Sequence, residues 1–411
     1  GRLQLEGSAI RGAAWQGNSV LVATTSATAA QNHVYLVDVS TPSSPSVVVS
    51  WPGTSQSSHG TIHDMKVDGN TVILGDDGMT LLKVTTETGN PVLMEVAEVP
   101  ATSFSGLDAA QPNAVAVGGQ VAYLGNKTTV WAVDVSTPDS PVVMPSTTPG
   151  ASYAYIQDMA IWQNQLLVTS SYANGPSLLV GTLYNSQSPS WPSSYFVDMY
   201  YLVTDHQRPL GRIFVDGETL YVARGNYGFA AFELALNTQP TFVGSLPTNG
   251  IARGMTGSGG WIYLANGPAA GIAFIKNAGT SAPQMAAQKD TPGEAYDVAL
   301  AGTVIAVADG TAGITTALHR AIPPLIDRAL VHMTVSAEEA LVTGDPGCIT
   351  SSNGPLTFSL TNATTVASTP NASIAPLGGF SGTVAASPGD EVELTVTDSA
   401  SPAQSTTVSL G

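Results

Sequence analysis

The residues best suited to chemistry recur at one point of a repeated pattern: Arg11, His63 with Asp64, Asn113, Gln157 with Asp158, Arg212, Arg253, and Tyr296 with Asp297. Each stands at the start of a short stretch of alternating apolar residues. Three carboxylates and three guanidiniums brought to one place would bind a zwitterionic or hydroxyl-rich ligand, or neutralise one another around trapped water. Proton transfer would need at least one carboxylate with a shifted pKa beside a second acid or base. A smaller group is His59, His63 and Asp64, with Asp205-His206 in the matching connector further along. Imidazole and carboxylate suit zinc or another divalent ion. On extended chain, however, histidines four apart need not converge, and the spacing fixes no third ligand; surface loop histidines are the competing reading. HExxH, CxxCH, a glycine-rich phosphate loop, a DxDxDG calcium loop and a GxSxG elbow are all missing, so no cofactor is expected.

The elements that position these residues form a repeat. AAWQGNSVLVA, MKVDGNTVILG, VAVGGQVAYLG, MAIWQNQLLVT, IFVDGETLYVA, MTGSGGWIYLA and VALAGTVIAVA each pair two alternating stretches about a turn. With Gly17, Gly69, Gly119, Asn164, Gly217, Gly259 and Gly302 as markers, the spacings are 52, 50, 45, 53, 42 and 43 residues. Period two means strands, and Asp68-Gly69 and Asp216-Gly217 supply the positive φ of a tight hairpin. A third strand follows, as in VYLVDV and WAVDV, then a proline-bearing turn, STPSSP or STPDSP, and a fourth strand. Proline fixes φ and donates no amide hydrogen bond, so it suits the turn and not a central strand. Four antiparallel strands repeating every 40–50 residues or so describe a β-propeller blade, and seven units predict seven blades.

VYLVDVSTPSSP, WAVDVSTPDSP and AYDVALAGTVIAVADG resemble the LVIVD repeats of secreted and surface β-propellers of bacteria and archaea. The resemblance covers residues 1 to about 320 and is weakest in the fourth unit, where NSQSPSW replaces the STPxSP turn. It implies a fold and is nearly silent on activity. RLQLEGSAIRGA aligns with FVGSLPTNGIARGM, so residues 2–5 are expected as the fourth strand of the last blade; IDRALVHMTV at 326–335 is the other candidate. Closing the ring removes two open sheet edges. Domain limits of 1–321 and 327–411 follow, with IPPLI between. In the second region, ALVHMTV, PLTFSLTN, FSGTVAA, EVELTVTDSA and STTVSL predict a small antiparallel sandwich, and GGFSGTVAASPGDEVELTVTDSASPAQSTTVSL resembles the carboxyl half of bacterial immunoglobulin-like domains.

The repeats also say which face varies. Additions at 52–62, 101–112, 145–155 and 184–210 lie before innermost strands, and those at 24–33 and 170–177 lie between second and third strands. A face that varies over a constant scaffold is where function is expected. Trp131, Trp162, Trp191 and Trp261 are expected to pack between blades; Tyr153, Tyr155, Tyr172, Tyr195, Tyr200, Tyr201 and Tyr227 are the candidates for carbohydrate or protein contact. Cys348, beside a turn, has no assignable catalytic partner.

Composition bounds the partners. Thirteen basic against 30 acidic residues, a formal charge of -17, argues against nucleic acid and anionic membranes. Low charge, with abundant Ser, Thr, Ala and Gly, points to an exported bacterial protein read in its mature form. The expectation is therefore a non-catalytic extracellular or cell-surface protein: its propeller presents an interaction face for protein or carbohydrate, and its sandwich serves as spacer or assembly contact, in keeping with a surface layer or filament. The alternative is a hydrolase or lyase acting on a carbohydrate or lactone through the polar ring.

Overall fold

The computed structural model describes residues 1–26, 32–52, 60–87, 89–108, 113–148, 155–172, 175–182, 196–198, 212–236, 238–268, 270–302, 304–318, 324–350, 355–375, 378–398 and 405–410; for 155, 171–182, 196–198, 318, 325 and 350 it describes the backbone alone. These residues fall into two compact units, Gly1–Leu318 and His319–Gly411.

Among the described residues the first unit holds seven four-stranded antiparallel sheets. In the second of them Asp64–Asp68, Thr71–Gly75, Met79–Glu87 and Asn90–Val99 pair in chain order. The hairpin between its first two strands closes with Asp68 opposite Thr71, and Gly69 takes φ 57°. Gly217 and Gly302 repeat that conformation at 59° and 58°. In the fourth sheet the place belongs to Gln163, at φ 51°, one residue before the Asn164 that the sequence pattern marks. Middle strands are buried on both faces, as in Val121–Asn126, whereas outer strands such as Ser46–Trp51 are half exposed. That difference explains continuous apolar runs in the former and looser patterning in the latter.

Each pair of successive sheets shares a core. Leu21, Leu36, Met65 and Leu74 join the first two; Leu81, Trp131 and Val133 join the second and third; Trp162, Leu167 and Phe232 join the fourth and fifth. The seventh sheet, Asp297–Ala301, Val304–Ala308 and Ile314–Leu318, packs on the first through Ala299, Val304 and Ala306 against Val20, Val22 and Tyr35. Its outer edge is covered by Arg2–Leu3, with Arg2 opposite Thr315 and Leu3 opposite Ile314. Residues 326–335 lie in the second unit instead, where Leu325–Ile326 pairs with Ile349–Thr350 and Val331–Val335 pairs with Glu339–Gly344.

In that second unit Val331–Val335, Glu339–Gly344 and Phe380–Ala385 form one sheet; Ala367–Ser368, Thr357–Asn362, Val392–Thr397 and Ser405–Ser409 form another. Val342 and Val384 from the first share a core with Leu360 and Leu394 from the second. Glu339–Gly344 is a strand the sequence reading omits. Burial alternates along it, with Ala340 and Val342 buried, but the apolar-polar pattern does not, because the exposed position between them is Leu341, 43% exposed.

Candidate functional site

Counting back five residues from each turn gives one layer of the innermost strands: Gly12, Asp64, Ala114, Asp158, Arg212, Gly254 and Asp297. Its three aspartates are buried, and each does the same thing. One oxygen accepts from the next amide of its own strand; the other accepts from an amide of the following sheet. Asp64 Oδ1 takes Met65 N–H at 2.8 Å and Oδ2 takes Val115 N–H at 2.9 Å. Asp158 takes Met159 N–H at 2.9 Å and Ile213 N–H at 2.8 Å. Asp297 takes Val298 N–H at 3.0 Å and Gly12 N–H at 3.4 Å, the last contact joining the seventh sheet to the first. A carboxylate accepting two amides satisfies donors that the innermost strand, an edge, would otherwise leave open.

Cations complete the layer. Arg212 sets its guanidinium between Asp64, at 2.6 Å, and Asp297, at 3.6 Å. Arg11 Nε donates to Asp64 at 3.3 Å. The third cation is Lys66, whose Nζ stands 3.1 Å from Asp158. Arg253, expected in the ring, instead pairs with Glu294 at 2.5 Å and lies over the Tyr296 ring at 4.2 Å; the Tyr296 hydroxyl also donates to Glu294, at 3.0 Å. The ring thus separates into a central network and a peripheral Arg253–Glu294–Tyr296 group. Lys66 is not among the residues expected from the sequence, although the repeat carries a signal for it. Two residues beyond the aspartate layer the other innermost strands carry Ala14, Ala116, Ala160, Phe214, Thr256 and Ala299; lysine alone breaks that uncharged set.

Burial pushes Asp64 up to about 6, with Lys66 opposing the shift and Asp158 adding to it. Burial likewise raises Asp297 to about 6, against the pull of Arg11. For Lys66 burial favours the neutral amine, but Asp158 and Asp64 outweigh it and hold the group above its usual range. His63 is pushed down by burial and then by Arg11, with Asp77 opposing. Beside this layer lies a cavity of about 250 Å³ lined by Lys66, Arg212, Asp297 and Thr256 together with small and apolar residues from the first, second, fifth, sixth and seventh sheets.

The remaining candidates divide. Asn113 is structural: its amide donates to the Asp76 carbonyl and its oxygen accepts from Asn126 at 2.8 Å. Asp76, in the Asp76-Asp77-Gly78 turn, takes Gly78 N–H at 3.0 Å and the Thr80 hydroxyl at 2.6 Å. Trp131 and Trp162 are buried in cores between sheets, and Trp162 Nε1 donates to the Gly217 carbonyl at 2.8 Å. His59, Trp191, Tyr153, Tyr195, Tyr200, Tyr201, Asp205 and His206 lie outside the described residues, as do most of the variable additions. Among the described residues no cluster of three or more His, Cys, Asp or Glu side chains is arranged to hold a metal.

No protein-family model matches the chain, and no curated protein matches it. Solved structures do. A protein from Lactobacillus plantarum aligns over 88% of this chain and 96% of its own, with a TM-score of 0.55 at 13% identity. The β-propeller domain of Cps50 (Swd1) from Myceliophteria thermophila aligns over 77% and 98%, TM-score 0.52, 11% identity. A Bacteroides uniformis protein provisionally named a 6-phosphogluconolactonase aligns over 66% and 83%, TM-score 0.51, 11% identity. At such identities the likeness concerns the fold alone: this is a β-propeller.

Proposed function

We propose that this chain is a non-catalytic extracellular or cell-surface protein whose seven-bladed propeller, of LVIVD type, presents an interaction face and whose immunoglobulin-like sandwich is a spacer or assembly contact. The observation that carries the reading is how the buried carboxylates are used. Asp64, Asp158 and Asp297 each accept two backbone amides, one of them from the next sheet, and all three lie within 4 Å of a cation. Groups so engaged hold blades together; a general acid or nucleophile needs a lone pair or proton directed at substrate. The low content of charged residues and the abundance of Ser and Thr in the sequence favour an exported setting and a partner of protein or carbohydrate type.

One observation favours the enzymatic alternative, a hydrolase or lyase: Asp64 and Asp297, both held near 6, flank the same guanidinium. The two readings part on turnover. The full chain is assayed with a panel of lactones, glycosides and uronides, alongside Asp64→Asn and Asp297→Asn. The expected result is no turnover above buffer for any of the three proteins. Turnover by the parent chain that disappears in both variants would replace this reading with the enzymatic one.

A further inference from the structure

The inventory of donors and acceptors around the channel is unbalanced. Asp158 accepts Met159 N–H, Ile213 N–H and Lys66; Asp64 accepts Met65 N–H, Val115 N–H, Arg11 and Arg212. Their acceptor capacity is close to used up. The cations are not so fully engaged. An ammonium has three N–H donors and a guanidinium five, yet Lys66 has one hydrogen-bond acceptor, Asp158, among the described residues, and Arg212 Nε is buried with no hydrogen-bond partner there. Both residues line the cavity, whereas of the three carboxylates only Asp297 does.

The rest of the lining mixes Thr256, whose hydroxyl can donate or accept, with Gly12 and apolar residues such as Ala14, Val67 and Phe214; Met255, Val298 and Ala299 are buried in the cores between sheets. Lys66 keeps 23% of its side chain exposed, so the residue is not sealed off. A cavity of about 250 Å³ falls just below the usual span of small-molecule sites, which fits a ligand on the order of ten non-hydrogen atoms. With unused donors on its cations, and Thr256 beside small and apolar residues elsewhere, such a space complements an acceptor-rich head on a small body.

We infer that the channel cavity is a binding site for a small monocarboxylate, its carboxylate received by Lys66 and Arg212 and its body lying against Ala14, Phe214 and Thr256. This goes beyond the non-catalytic reading by giving the channel a ligand. No covalent step is involved, and Asp297 sets the selectivity: it repels a second negative charge, so monocarboxylates are preferred over dicarboxylates.

The test is calorimetric titration of the full chain at neutral pH with benzoate, using benzyl alcohol and benzylammonium as neutral and cationic probes of like shape. Benzoate is expected to bind at one site, and loss of the charge-assisted contacts should weaken benzyl alcohol about tenfold or more. Lys66→Met should weaken benzoate by a similar factor. Because that variant strands Asp158, Ala14→Phe provides a second line: Ala14 is exposed at the cavity, so the larger side chain fills it and leaves every charge in place, and it should abolish the signal. The inference is overturned by no saturable benzoate signal at millimolar concentration, by equal binding of benzyl alcohol, or by unchanged binding in the filled variant. None of these outcomes bears on turnover, so the two readings fail separately.

Discussion

Lys66 in the second sheet and Asp158 in the fourth meet at 3.1 Å, passing the third sheet where its innermost strand carries Ala114 and Ala116. The pair is 92 residues apart in sequence. Two methyl side chains where neighbouring strands carry charge leave room for a lysine to cross. The same economy recurs on the other side, where Gly12 and Gly254 adjoin Asp297.

Breaking this contact from one end should be costly. Lys66→Met leaves a buried, unpaired carboxylate and is expected to destabilise the propeller by about 3–5 kcal/mol, and adding Asp158→Asn should recover part of that loss. Urea unfolding of the full chain, followed by tryptophan fluorescence, reads both. Additive losses would show that the two side chains are not coupled.

Asp64 and Asp297 set a pH dependence. Their folded pKa, about 6, exceeds the ordinary carboxylate value of 3.8, so the folded state binds more protons than the unfolded state between those limits. Stability from these two groups therefore falls as pH rises from about 4 to about 6 and is level above. The midpoint temperature of the first unit, measured across that window, should decline less steeply in Asp64→Asn and Asp297→Asn than in the parent chain. An unchanged slope in both variants would assign the dependence elsewhere.

Gly254 has no room for a side chain. A β-carbon there would meet Asp297 Oδ1 at 2.0 Å and its α-carbon at 2.7 Å. Gly254→Ala should cost about 1–3 kcal/mol by forcing the carboxylate aside. Asp297→Ala removes the nearer obstacle, so the double variant should cost less than the sum of the two. Chemical denaturation of the four proteins closes the cycle.

The first four residues seal an edge. Gly1 N donates to the Thr316 carbonyl at 3.1 Å, Arg2 Nε to that of Ala312 at 3.1 Å, and Gln4 Nε2 to that of Thr311 at 2.6 Å. Deleting Gly1–Gln4 uncovers Ile314–Leu318, and hydrogen exchange there should accelerate while neighbouring sheets stay protected. An exposed edge also invites pairing with another chain, so light scattering should detect stronger concentration-dependent association than the parent chain shows.

Cys348 is buried, and its Sγ donates to the Gly378 carbonyl at 3.1 Å. Burial, reinforced by Asp345, raises the thiol above its ordinary range. It should react with a thiol reagent far more slowly in the folded chain than in denaturant. Equal rates would show that the second unit opens readily around it.

How much was legible follows from the range of each interaction. Alternation in MKV and TVIL, and glycine after aspartate at 68–69, are local signals, so strands and hairpins could be read directly, and their recurrence pointed to a β-propeller. Glu339–Gly344 is not legible as a strand, because Leu341 at an exposed position blurs the apolar-polar alternation. In the candidate site, the positions of Asp64, Asp158 and Asp297 at the starts of innermost strands could be read as a common layer. Arg253 reads as one of them because it occupies a similar repeat position, and Lys66 does not, because a lysine in a strand reads as a solvent-facing residue.

What the sequence by itself determined is therefore the set of charges offered to the axis and the strand each starts on, since period and turn chemistry act over a few residues. Which charges meet was decided by the tertiary structure alone. Arg212 reaches Asp64 from 148 residues away, and whether it arrives depends on the width of the channel and on the glycines and alanines that clear its path. Those are properties of the closed ring, and no spacing along the chain encodes them.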